Sequence, residues 1–374
     1  MDELQFIVIN EEGLGGLMDF IKSEIGEYVT LYYVIGGAKI GELNLKNGTF
    51  TKNIKKLKNW EVGRIIRSDK NKSDSPEACL RSTLRLSNLN QLKESISLIE
   101  ELVRKICGAT GINPVMAIDT NIVRNGLLEQ IIAEMTSSGK EEWQGVQILT
   151  PKIVLQELFR DYSTYEFKNG LAEKYGILKF PKRKSREARY ALSVISFGSE
   201  KGIVQFHGKI LLIEAGHEKY KYLSDLVLLD QIEEYAMRQT RPVIFITSDY
   251  ALSTISHIKP TKYIKPPQSI KLDEEGKCKI PSIKRFIRDL LICFGLISLK
   301  NDANKNSNII VLSYSWKGIT LEDYIKRNIA LAVSKSLMRN IQKFVTIVRP
   351  LTTDETPWMK IVKEFTEELS TSSL

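Results

Sequence analysis

Two apolar runs near the middle of the chain each end on a carboxylate. One reads Val115-Met116-Ala117-Ile118-Asp119, the other Val243-Ile244-Phe245-Ile246-Thr247-Ser248-Asp249. Short unbroken runs of this kind predict central strands of a parallel sheet, buried on both faces. Between them the pattern alternates strand and helix. A helix is expected over Val123–Met135, a strand over Val146–Leu149, and a helix starting near Pro151 with Val154, Leu155 and Leu158 on its core side. Further helices are expected over Arg186–Ser196, Lys209–Ala215, Tyr222–Met237 and Ala251–Ile255, with an edge strand at Lys262–Ile264. Pro260, Pro266 and Pro267 mark the exit. Residues 113–268 thus read as one α/β domain.

The flanks differ in texture. Residues 1–112 read as a mixed α/β module, with strands at Leu4–Asn10 and Tyr28–Ile35 and a helix at Leu14–Ile25. A longer helix over Asn90–Ile106 carries Leu92, Ile96, Ile99 and Val103 on one side. Gly36-Gly37 and Asn47-Gly48 read as turns, although the double glycine could also approach a phosphate closely. Residues 269–374 read as mainly helical, through Ile283–Ile297, one or two helices in Leu321–Ile347, and Trp358–Leu369; only Ile309–Leu312 is strand-like.

At 374 residues the chain exceeds the size at which a single core keeps growing, which agrees with several domains. Lys and Arg number 54 against 45 acids, a net charge of +9 that admits a polyanionic partner. Four separated cysteines and three histidines offer neither zinc-ligand spacing nor a disulfide framework. No apolar stretch reaches the roughly 18 residues of a membrane span, and Met1-Asp2-Glu3-Leu4 lacks a signal peptide's basic start. The expectation is a cytoplasmic protein without membrane attachment.

Open α/β sheets bind ligands beyond the carboxyl ends of their strands, so Asp119 and Asp249 could face one cleft. Thr120 and Asn121 can orient Asp119 or cap the following helix; Asp119 itself reads equally as a cap, and turn capping is the plain alternative for Asp249 as well. Thr247 could hold a metal-bound water or the strand end. Two further acids are candidates: Glu157, among apolar residues early in its helix, and Asp225, at a helix start beside Ser224. Four carboxylates at one edge would repel one another unless hard cations neutralised them. That predicts Mg²⁺ or Mn²⁺, with phosphodiester hydrolysis as the natural chemistry. Asp161, one turn beyond Glu157, is expected to pair with Lys or Arg, and Asp230 to be surface charge. Neither Asp119 nor Asp249 begins an Asp-x-Asp pair, which argues against a phosphoaspartyl phosphatase.

In this order the acids resemble the PIN-domain nuclease family. The resemblance rests on Asp119-Thr120-Asn121 at the first strand, Glu157 early in the second helix, Ser224-Asp225 before a long apolar helix, and Thr247-Ser248-Asp249. It covers about residues 113–260. It implies a three-layer α/β/α fold and divalent-metal-dependent cleavage of RNA, less often DNA. Asp119, Glu157, Asp225 and Asp249 would then be catalytic metal ligands. The 68-residue gap from Glu157 to Asp225 is longer than in the family's compact toxin members, and both flanking modules are foreign to them. An inactive descendant, serving as a nucleic-acid-binding or assembly subunit, is the alternative to an endoribonuclease.

The long gap holds a basic stretch. Residues 179–189 carry six bases and one acid, with Phe180 and Tyr190 beside them and Tyr162, Tyr165, Phe167 and Tyr175 before. Bases can contact phosphates and exposed rings can stack on unpaired bases. The expected substrate-binding residues are Asn121, Lys182, Arg183, Lys184, Arg186 and Thr247. A second basic zone runs from Lys259 to Arg288 and could extend a phosphate track. RNA is the expected partner, with DNA, a protein partner or a homo-oligomer left open.

Overall fold

A computed structural model of the chain describes residues 3–57, 75–137, 139–163, 183–210, 219–303, 308–314, 325–351 and 357–371. The strands among them are β1 (Leu4–Asn10), β2 (Tyr28–Tyr33), β3 (Ala38–Asn44), β4 (Thr49–Lys56), β5 (Val115–Ile118), β6 (Gln147–Pro151), β7 (Val204–His207), β8 (Val243–Thr247), β9 (Thr261–Tyr263), β10 (Lys277–Lys279), β11 (Leu296–Lys300), β12 (Ile310–Ser313), β13 (Asn328–Ser334) and β14 (Ile347–Pro350). The chain divides into two compact units. The first comprises Met1–Asn88, Tyr165–Glu187 and Ser269–Leu374; the second comprises Leu89–Thr164 and Ala188–Gln268.

The first unit is built on an antiparallel sheet in the order β10-β4-β3-β2-β11-β12-β13-β1-β14. Strands from both ends of the chain interleave in it, so residues 1–88 and 269–374 fold together. The expected boundary at 268 coincides with the division between Gln268 and Ser269, but the one expected at 112 falls at Asn88 instead, and the flanks form one unit in place of two separate modules, the second of them mainly helical. The reason lies in β13: Asn-Ile-Ala-Leu-Ala-Val-Ser is buried almost throughout, and a short apolar run cannot be told from a helix by periodicity alone. Its partners, β1 and β12, include one more than 300 residues away. Helix Ile283–Phe294, as expected from its apolar stripe, packs against the sheet through Phe286 on Phe50 and Phe294 on Tyr33. Tyr32 points the other way and meets Phe365 of helix Pro357–Thr371. Because alternate side chains along a strand face opposite sides, the two helices cover opposite faces. Both glycine pairs are turns: Gly37 and Gly48 adopt φ of 53° and 69°, and Asn44 accepts the amides of Lys46 and Asn47.

The second unit is the α/β domain. Its sheet is parallel throughout, in the order β7-β6-β5-β8-β9, with helices Leu89–Thr110, Leu127–Ser137, Lys152–Ser163 and Lys219–Arg238 among those around it. Every residue of β5 and β8 is buried, as their uninterrupted apolar sequences require. The chain steps from β5 outward to β6 and β7, then returns to place β8 and β9 on the other side of β5. Strand order therefore reverses between β5 and β8, which is where open sheets form a crevice. At the amino ends of the strands Arg241 donates to the carbonyls of Asn113 and Gly145 and to Gln147. Strand β7 has no sequence counterpart in the expectations: Gln205 and Phe206 are exposed at this sheet edge, so no buried run announces it. Lys209 and Ile210 are not helical, and the rest of the expected Lys209–Ala215 helix lies outside the described residues.

Candidate functional site

The reversal point lies at the carboxyl ends of β5 and β8, and both strand-end acids are there. Asp119 is the N-cap of helix Thr120–Arg124: its Oδ1 accepts the Ile122 amide at 2.8 Å. Its Oδ2 accepts the Thr247 hydroxyl at 2.6 Å and the Ser248 amide at 3.3 Å. One carboxylate thus ties the ends of two neighbouring strands. Asp249 repeats the device on β8, capping helix Tyr250–Ile255 through the Leu252 amide at 3.1 Å, while its own amide donates to the Thr247 hydroxyl oxygen. The capping alternative is therefore realised at both positions.

Asp119 is 3% exposed. Burial pushes its carboxyl up to about 6; the Thr247, Ile122 and Ser248 hydrogen bonds pull it back, and the neighbouring Asp249 charge adds to the rise. Glu157 is half-buried on helix Lys152–Ser163 and accepts the hydroxyl of Thr120, the residue after Asp119. Asp225 lies inside helix Lys219–Arg238 rather than at its start. Asn121 is exposed. Asp161 pairs with Arg124, and Asp230 is exposed, both as expected. Both Asp119 oxygens accept the protein's own donors, and among the described residues no three His, Cys, Asp or Glu side chains gather into a metal-holding group.

The basic stretch is placed differently from the expectation. Lys182, together with Tyr165, Phe167, Tyr175 and Phe180, lies outside the described residues. Arg183 donates to Ser82 and, at 3.3 Å, to Glu187. Arg186 is 2% exposed and donates to the carbonyls of Ile292 and Cys293, so it is a buried anchor and not a phosphate contact. Those are the last carbonyls of helix Ile283–Phe294, which lack partners within the helix and attract a cation. In the second unit Arg189 lies over the Tyr162 ring at 4.9 Å and is equally buried. Only Lys184 among the described members of the set is exposed. In the second basic zone Arg285 and Arg288 pair with Asp289, and Lys277 pairs with Glu275.

Sequence reasoning missed Gln231. Buried on helix Lys219–Arg238, it donates to the Lys209 carbonyl at 2.8 Å and accepts the Ile153 amide at 3.4 Å. It thereby fixes the chain just past β7 to the start of the helix that follows β6. An apolar helix face interrupted by one amide is the only signal the sequence offered. The strand-end edge also carries Lys152, Lys209 and Lys265, one or two residues past β6, β7 and β9. No protein-family model matches the chain, and no curated protein matches it. Among the described residues no helix is long and apolar enough to cross a membrane.

Proposed function

We propose that the parallel-sheet unit is a PIN-like domain that binds nucleic acid and has no retained nuclease centre. One observation carries this reading: the carboxylate that a nuclease would aim at a cation instead holds the edge together, with both oxygens of Asp119 accepting bonds from Ile122, Thr247 and Ser248. The charge at the same edge supports a polyanionic ligand. Lys152, Lys209 and Lys265 follow three of the five strands, and the whole chain carries +9. Lysines contact phosphate as point charges without reading sequence, so general rather than sequence-specific binding is the expected mode.

The test uses the full chain with fluorescent single-stranded RNA, hairpin RNA, single-stranded DNA and duplex DNA. Anisotropy is followed across salt with Mg²⁺, Mn²⁺ or EDTA, and strand integrity is read on gels. Binding that weakens with salt, persists in EDTA and leaves every probe intact is the expected result. Cleavage that needs a divalent ion and disappears in both Asp119→Asn and Asp249→Asn would instead establish the endonuclease. Absence of binding to all four probes would overturn the reading.

A further inference from the structure

Beside the strand-end acids stand two exposed tyrosines that the fold does not use in its core. Tyr263 ends β9 and is paired in register with Thr247 of β8, the residue that holds Asp119. Tyr250 begins the helix after Asp249. Their rings meet edge to face, with centroids 5.7 Å apart and planes at 86°. Tyr250 is 71% exposed and Tyr263 37%. An aromatic side chain offers 150–250 Å² of area for burial, yet most of the Tyr250 ring is in water. In an edge-to-face pair the ring that gives its edge keeps both faces uncovered by its partner.

We infer that Tyr250 and Tyr263 form a base-stacking platform for a single-stranded nucleic acid lying along the carboxyl edge of the sheet. This deepens the nucleic-acid reading above and rests on it. The two rings are held at right angles, so one base stacking on the Tyr250 face directs its neighbour across the sheet edge. Exposed Lys265 lies two residues past Tyr263 on the same carboxyl edge, and Lys152 and Lys209 follow β6 and β7 farther along it. These lysines bring cations to a backbone whose bases meet the rings. Asp249 is the acid next to the platform, and its Oδ1 is engaged by the Leu252 amide. Rings flanked by lysines select single strands, because duplex bases already have their faces covered by stacking, and the preference is sequence-tolerant since every base has a π-face. A neutral apolar partner would gain nothing from the lysines, whereas a nucleic acid engages both features.

Tyr250→Ala and Tyr263→Ala are compared with Tyr250→Phe and Tyr263→Phe in the full chain, using single-stranded RNA, the same strand with abasic sites, and its duplex. Each alanine variant should weaken single-strand binding roughly tenfold, in line with base–aromatic stacking, and each phenylalanine variant should retain it. Duplex and abasic binding should barely change in any variant. Thermal melting separates loss of fold from loss of stacking, and Tyr250→Ala, altering a side chain mostly in water, should melt as the wild type does. If the wild-type chain binds single strands and both alanine variants bind equally well, the platform is refuted while the nucleic-acid reading stands. If the wild type binds no probe, both fall.

Discussion

The Thr247 hydroxyl donates to Asp119 Oδ2 at 2.6 Å and, through the same oxygen, accepts the Asp249 amide at 2.9 Å. Thr247 is fully buried at the end of β8, and Asp119 stands at the end of β5. This single hydroxyl therefore links both strand-end acids at the point where strand order reverses. Thr247→Val keeps the side-chain shape but leaves a buried carboxylate oxygen short of a donor and the part-buried Asp249 amide short of an acceptor. It should cost about 1–3 kcal/mol, read as a lower midpoint in urea unfolding. Thr247→Ser should recover most of the loss. Equal stability of the valine variant and the wild type would show that the bond contributes nothing.

The same carboxylate gives a pH dependence whose sign is fixed. Burial raises Asp119 from 3.8 to about 6 in the folded chain, so folding favours its protonated form. The stability this contributes is complete below about pH 4 and is lost as pH rises through about 6. The loss from this group is on the order of 3 kcal/mol across the window. Asp119→Asn cannot ionise, so its stability relative to wild type should climb between those two values and level off above them. Urea midpoints of both proteins through that range test this. A difference that stays constant with pH would remove Asp119 as the source.

How much of this was legible in the sequence depends on where a residue's partners lie. The strand Val115–Ile118 has the limits its sequence predicts, because a four-residue apolar run between polar neighbours is a local signal. Asp119 and Asp249 as caps were equally local, each followed three residues later by the amide it accepts. Asp161 was expected to pair with a base from its place one turn beyond Glu157, but its partner Arg124 lies 37 residues away and could not be named. The C-terminal strands were misread because β11 and β13 draw their partners from residues 4–33, and nothing in an Ala-Leu-Ala-Val run declares a sheet. The basic stretch misled for a different reason. Arg183 and Arg186 are three apart and share one side of a helix, whereas Lys184 falls off that side. That spacing, read instead of the net charge, would have separated the two guanidiniums bonded to the protein, buried at Arg186 and partly buried at Arg183, from the exposed amine.

Arg186 supplies the sharpest contrast within that stretch. It closes the last carbonyls of helix Ile283–Phe294, while Gly295, at φ 81°, takes the Leu291 carbonyl with its amide. Arg186→Ala should cost about 2–3 kcal/mol through lost charge-assisted bonds alone. Arg186→Lys should recover little of it, since one ammonium cannot present the guanidinium's fork. Lys184→Ala, on the exposed side, should leave the unfolding midpoint unchanged. The arrangement is wrong if Arg186→Ala is as stable as wild type and instead loses nucleic-acid affinity in proportion to salt.

Gly208 tests how the outer end of the carboxyl edge is held. It follows β7 at φ 91°, a conformation that side-chain-bearing residues rarely adopt, and a Cβ there would overlap the Gln231 side chain. Gln231 has no room to yield without breaking its bonds to the Lys209 carbonyl and the Ile153 amide. Gly208→Ala should therefore destabilise beyond the roughly 1–2 kcal/mol of the backbone term. Gln231→Ala in the same chain would remove the overlap, leaving the backbone cost and the lost amide bonds. The double variant should accordingly fall short of the sum of the single losses, the non-additivity expected of touching residues. Strict additivity in a thermal-unfolding cycle would mean that Gly208 is required for its backbone angle alone and that Gln231 braces the edge independently of it.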